Sequence, residues 1–177
     1  MTDTVNFVSV VSNPSLKHIQ EPSALETVQM LHIKDNESLE HLVGFSGLVE
    51  AGQIEIDDNP ALLSVEGMNQ LAKVTDSFII KNNPALENLD DLESLTAVEG
   101  FFGITFNDGL KSLDGFPALT RVDGNIKIED NGALETLNGF QALTSVGKYL
   151  SIKNNDALVE LKGFDNLISM GSYFELE

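Results

Sequence analysis

The 177-residue sequence contains no cysteine and no tryptophan, and its single arginine is Arg121. Without cysteine, thiol catalysis, disulfide-capped ends and thiolate-ligated zinc are excluded, while the compartment stays open because a chain with a large core needs no disulfides. Cations are scarce: Lys and Arg total 10 against 28 Asp and Glu, a formal charge of −18. Such a chain repels phosphate backbones and anionic bilayers, so nucleic acid is excluded as a partner. No apolar run approaches the roughly 18 residues that span a bilayer, and no membrane insertion is expected of this segment. A basic start followed by an apolar stretch is also missing. The sequence therefore reads as carrying no signal peptide, and as either cytoplasmic or the mature part of a longer precursor.

What the sequence does have is a period. Asn13, Asn36, Asn59, Asn83, Asn107, Asn131 and Asn155 follow one another at 23, 23, 24, 24, 24 and 24 residues. Three residues after each stands a leucine: Leu16, Leu39, Leu62, Leu86, Leu110, Leu134 and Leu158. Fixed polar and apolar columns at this period predict a stacked repeat array in which each coil touches only its neighbours.

The columns predict its cross-section. Eight and six residues before each leucine lie apolar pairs such as Leu31 and Ile33, Ile54 and Ile56, Phe102 and Ile104. Apolar residues two apart predict one short strand per coil with one face inward, and strands in register give a parallel sheet. Further apolar columns stand three, six, nine and twelve residues after the leucine, exemplified by Leu113, Phe116, Leu119 and Val122. Glycine usually stands five after it, at Gly44, Gly67, Gly115, Gly139 and Gly163, with Asp91 in one coil; a positive φ at a corner is the expected reason. The asparagines are expected to turn inward and form a structural hydrogen-bonded ladder.

The predicted fold is mostly β: one right-handed parallel β-solenoid over residues 1–177, of about seven coils. The coils begin near Val8, Leu31, Ile54, Phe78, Phe102, Ile126 and Leu150, with a partial coil from Phe174. A leucine-rich-repeat horseshoe is the alternative. Leu176 and Glu177 read either as an appended tail or, with Phe174, as a continuation of the register. Segments such as LSIKNNDALVELKGFDNLISMG and IEIDDNPALLSVEGMNQLAKV resemble the receptor L-domain family, from about Val8 to Met170. These are β-helical relatives of leucine-rich repeats, found in growth-factor receptor ectodomains, fungal cell-wall proteins and bacterial surface proteins. Two residues separate asparagine from leucine here, as in Asn59-Pro60-Ala61-Leu62, where the ordinary leucine-rich repeat has one. The resemblance implies a secreted or cell-surface role. The missing cysteines depart from the receptor members and favour a microbial surface protein.

Candidate chemistry is sparse. His18 and His41 share a column and should stack about 4.8 Å apart, but lack a third ligand, so no metal and no cofactor is expected. Asp35, Asp57, Asp58, Glu129 and Asp130 gather near the asparagine corner and read as solvated turn residues. A polysaccharide lyase would need clustered cations for its acidic substrate, and an ice-binding face would need a regular outward threonine array. The outward strand column Ser9, His32, Glu55, Ile79, Gly103, Lys127 and Ser151 is irregular. Apolar residues just outside the inward columns, Ile79, Phe101, Phe106, Tyr149 and Tyr173, form the candidate interaction surface. Their bland reading is rings folded back over a coil edge. The expected function is non-enzymatic: adhesion or recognition of a protein or glycan through one face. The alternatives are a structural spacer in a cell wall and, less favoured, a carbohydrate-active enzyme. The final coil is expected to leave strand edge and core open to end-to-end or edge self-association.

Overall fold

The structure, a computed structural model, describes residues 5–177. It is mostly β, a parallel β-solenoid of about seven turns. No α-helix is present among the described residues; the return segments carry only the short 3-10 turns Asp90–Leu92 and Asn138–Phe140. The helix-backed horseshoe is therefore not the architecture.

One extra residue per coil divides the main sheet into two styles. The first three coils each contribute one long strand, Val5–Val11, Thr27–Lys34 and Glu50–Asp57. Glu50–Asp57 then pairs with two separate strands, Lys73–Val74 through its start and Phe78–Lys81 through its end. From there each coil has a pair, such as Ala97–Val98 with Phe102–Thr105 and Arg121–Val122 with Ile126–Glu129. Two residues, 52 and 53, separate the inward Ala51 from the inward Ile54, whereas 75 to 77 separate Val74 from Phe78. The added residue turns a continuous strand into a bend. It is also why the asparagine spacing grows from 23 to 24 at Asn83.

The inward columns make one continuous core. Side chains from Leu31 to Val146 in these columns are essentially fully buried; in the two terminal coils Ile19, Val28, Leu150 and Ile152 are still buried, whereas Val8, Leu16, Phe164 and Met170 are half-buried. Each buried large side chain contributes about 1.5–3 kcal/mol relative to exposure. Phenylalanines fill two adjoining columns. Phe78 and Phe102 stack at 5.4 Å, Phe102 meets Phe116 edge-on at 5.1 Å, and Phe116, Phe140 and Phe164 stack at 5.6 and 5.2 Å. Phe174 and Leu176 continue the register opposite Leu150 and Ile152.

The corner glycines correct one expectation. Only Gly67 and Gly163 have positive φ, at 93° and 96°. At Gly44, Gly115 and Gly139 the cause is crowding instead: a Cβ would run into the backbone of the preceding coil, at Glu21, Leu89 and Leu113 respectively. Stacking one coil directly on the last therefore demands the absent side chain. Asp91 takes this position inside the 3-10 turn Asp90–Leu92. Burial, followed by the charges of Glu66, Asp90 and Glu93, raises its carboxyl above the ordinary range.

Candidate interaction surface

The surface is organised by the corner that ends each strand. The residue before every repeat asparagine is left-handed: Ser12, Asp35, Asp58, Asn82, Phe106, Asp130 and Asn154 have φ between 52° and 58°. This reversal points the following asparagine inward. Asn83 shows the pattern: its backbone N–H and Nδ2 both donate to Asn107 Oδ1, at 3.1 and 3.3 Å, while Nδ2 also donates to Ile56 and Lys81 carbonyls. Asn36, Asn59, Asn107 and Asn131 repeat it. The ladder runs from Asn13, which donates to Asn36, to Asn155, which accepts from Asn131.

Asp, Asn and Ser tolerate the left-handed corner because a short polar side chain bonds locally and clashes little. Phe106 does not fit that explanation. A bulky residue at φ 58° is an outlier of its type, and this ring is 53% exposed. It borders an open groove of about 560 Å³ that crosses four coils. One rank of the groove is Asp35, Asp58, Asn82 and Phe106; the other is Glu37, Pro60, Pro84 and Asp108. Asp58 lies 3.5 Å from Lys34. Asp35, Glu37 and Asp108 form no salt bridge among the described residues.

Inside the corner the charges are satisfied. Asp57 is buried, with Lys34 Nζ at 2.7 Å, Lys81 Nζ at 3.4 Å and Asn82 Nδ2 donating at 2.9 Å. Burial opposes its ionisation, but Lys34, Asn82 and Lys81 together outweigh that and hold the carboxyl below the usual range. Its folded-state pKa is below the unfolded one, so its contribution is present at neutral pH. The contribution is lost as pH falls from the ordinary carboxylate value through the folded-state value. Asp57→Asn should therefore cost about 1–3 kcal/mol at pH 7. The gap from wild type, measured by urea unfolding, should shrink below about pH 4.

The five apolar positions do not form one patch. Phe101 is half-buried, and its ring lies over the outer face of Gly103, where a Cβ would clash with it; Ile79 is the register neighbour of that glycine. Tyr149 stacks on Tyr173 at 5.0 Å and 7°, so each covers a face of the other. Asn125 stands between Phe101 and Tyr149 in the column, and its buried Oδ1 has no partner. Phe106 stands apart on the corner. The ring folding expected as the bland reading is what Phe101 does. Phe106 remains open.

His18 and His41 are register partners with ring centroids 5.5 Å apart. Among the described residues no three His, Asp or Glu side chains converge to hold a metal ion. Sequence reading missed Glu37 and Asp108, although their place immediately after Asn36 and Asn107 marks a second rank. It also missed an exposed threonine rank in the return path. Thr96, Thr120 and Thr144 donate their Oγ1 hydrogens to the carbonyls of Ala72, Thr96 and Thr120. Those hydroxyls serve coil stacking. No helix among the described residues is long and apolar enough to cross a membrane.

No family model, no curated protein and no solved structure matches the chain.

Proposed function

We propose that this chain is a non-enzymatic recognition module, a relative of the receptor L-domain solenoids, carried by a secreted or cell-surface protein and binding a protein or glycan through one face. The observation that carries this reading is Phe106. A half-exposed ring occupies a left-handed corner position that six other coils give to Ser, Asp or Asn. Such strain costs about 1–3 kcal/mol, and residues that retain it concentrate at ligand sites. The rest of the corner supports the same reading. The buried ladder and the Asp57 cluster are fully engaged in holding the coils together, leaving recognition to side chains in the outer ranks. The Tyr149–Tyr173 stack offers a sugar few free ring faces, which weighs toward a protein ligand.

The test is an array of defined glycans and synthetic peptides probed with wild type, Phe106→Asn, and a Tyr149→Ser control. Specific retention that falls at least fivefold in Phe106→Asn and stays unchanged in Tyr149→Ser is expected. Retention indifferent to Phe106 would remove the reading. Binding of nothing would leave the spacer role standing, and turnover of an arrayed glycan would replace both with an enzyme.

A further inference from the structure

Resting on that reading, we infer that the Phe106 groove binds an extended, lysine- or arginine-bearing peptide segment of a partner protein. The groove is linear. Its two ranks repeat once per coil, and the four coils span three strand spacings, about 14 Å. An extended peptide advances about 3.3 Å per residue, so five residues match that length. Its carboxylates are distributed rather than convergent. Asp35, Glu37 and Asp58 lie at one end, Asp108 at the other, and no three acidic groups meet at a point that would hold a metal ion. Separated charges in a row suit separated cations. Asp35 and Asp108 are three coils apart, which places their counter-charges at the first and fifth residues of an extended strand.

Charge complementarity selects the sign. Asp35, Glu37 and Asp108 form no salt bridge among the described residues, the Lys34 charge that reaches Asp35 is shared with Asp57 and Asp58, and the chain as a whole carries −18. Phe106 supplies what a plain acidic surface lacks. Its half-exposed ring shares a coil with Asp108 at one end of the groove and can take a guanidinium or ammonium against its face, where cation–π attraction and that carboxylate act on the same charge. Pro60 and Pro84 form a stiff apolar stretch of the opposite rank, against which the stems of such side chains can lie.

The probe is the acetylated, amidated peptide Arg-Ser-Arg-Ser-Arg, titrated by calorimetry and by amide NMR shifts against wild type, Phe106→Asn, the pair Asp35→Asn with Asp108→Asn, and Tyr173→Ser. Asn already occupies this corner at Asn82 and Asn154, so Phe106→Asn will fold. Shifts are expected to concentrate on residues 35–37, 58–60, 82–84 and 106–108. Affinity should fall about threefold in Phe106→Asn. It should fall about tenfold between 20 mM and 150 mM salt, with that dependence flattened in the double variant and Tyr173→Ser unchanged. Shifts spread over the whole acidic surface, or equal affinity in Phe106→Asn, would overturn the inference. Shifts confined to another face, or no peptide binding beside a glycan hit on the array, would overturn it while leaving the recognition reading intact.

Discussion

Replacing Asn107 by alanine is expected to destabilise the protein by about 3–5 kcal/mol. The arithmetic follows from its bonds. Asn107 Oδ1 accepts the Asn83 backbone N–H and Nδ2, and its own Nδ2 donates to Ile80 O, Thr105 O and Asn131 Oδ1. Alanine leaves the Asn83 N–H without its acceptor and removes one donor each from the Ile80 and Thr105 carbonyls, of which Thr105 O still accepts the Asn82 N–H; each such lost bond adds about 0.5–1.5 kcal/mol. A buried polar group left unpaired costs about 1–3 kcal/mol. Asn13 is the control. It is exposed and sits at the end of the ladder, donating to Asn36 and to the Val11 carbonyl. Asn13→Ala should cost about 1 kcal/mol or less. Urea unfolding of both variants measures the difference. Because each coil touches only its neighbours, a lesion at the fifth asparagine should also broaden the transition as the array loses cooperativity.

Phe116→Ala is expected to cost about 3–5 kcal/mol, the range for truncating a buried aromatic. Phe116 is fully buried and meets Phe78, Phe102 and Phe140 at 6.1, 5.1 and 5.6 Å. It joins two phenylalanine columns, so the cavity opens between coils that cannot close without moving a whole turn. Phe164 occupies the same column but is half-buried near the end of the chain, with Phe140 as its one stacked neighbour. Phe164→Ala should cost about 1–2 kcal/mol, since less surface returns to water. Thermal or urea unfolding that ranks the two alike would mean that the solenoid is not packed as a graded stack.

The architecture was legible because solenoid physics writes itself periodically. The inward columns, the in-register parallel sheet and the asparagine ladder each follow from residues that repeat, and each has a single physical cause; the expected one strand per coil holds in the main sheet only for the first three coils. The splitting of the long strand was equally available in principle. It follows from the three residues between Val74 and Phe78 where earlier coils have two. The glycine column is a corner, and the torsion requirement expected of it holds at Gly67 and Gly163 but not at the other three. At Gly44, Gly115 and Gly139 the obstacle is the neighbouring coil's backbone, and contact across the stack cannot be read from local turn chemistry. The candidate surface was legible only as a set of names. Phe101 lies on Gly103 and Tyr149 on Tyr173 because neighbours in adjacent coils offer a place to pack. Phe106 precedes an inward-turned asparagine, and its corner directs the ring away from the core. The groove beside it is built by residues two positions apart, one on each side of the repeat asparagine, on four coils, a juxtaposition visible only once the coils are aligned.

The most direct test is hydrogen exchange of the asparagine side-chain amides, followed by NMR. With coils stacked through the amide ladder, the Nδ2 hydrogens of Asn59, Asn83 and Asn107 should exchange only through opening of the array, orders of magnitude slower than those of the exposed Asn69. Exchange of all four at one rapid rate would show that these amides face solvent, and the stacked solenoid described here would be wrong.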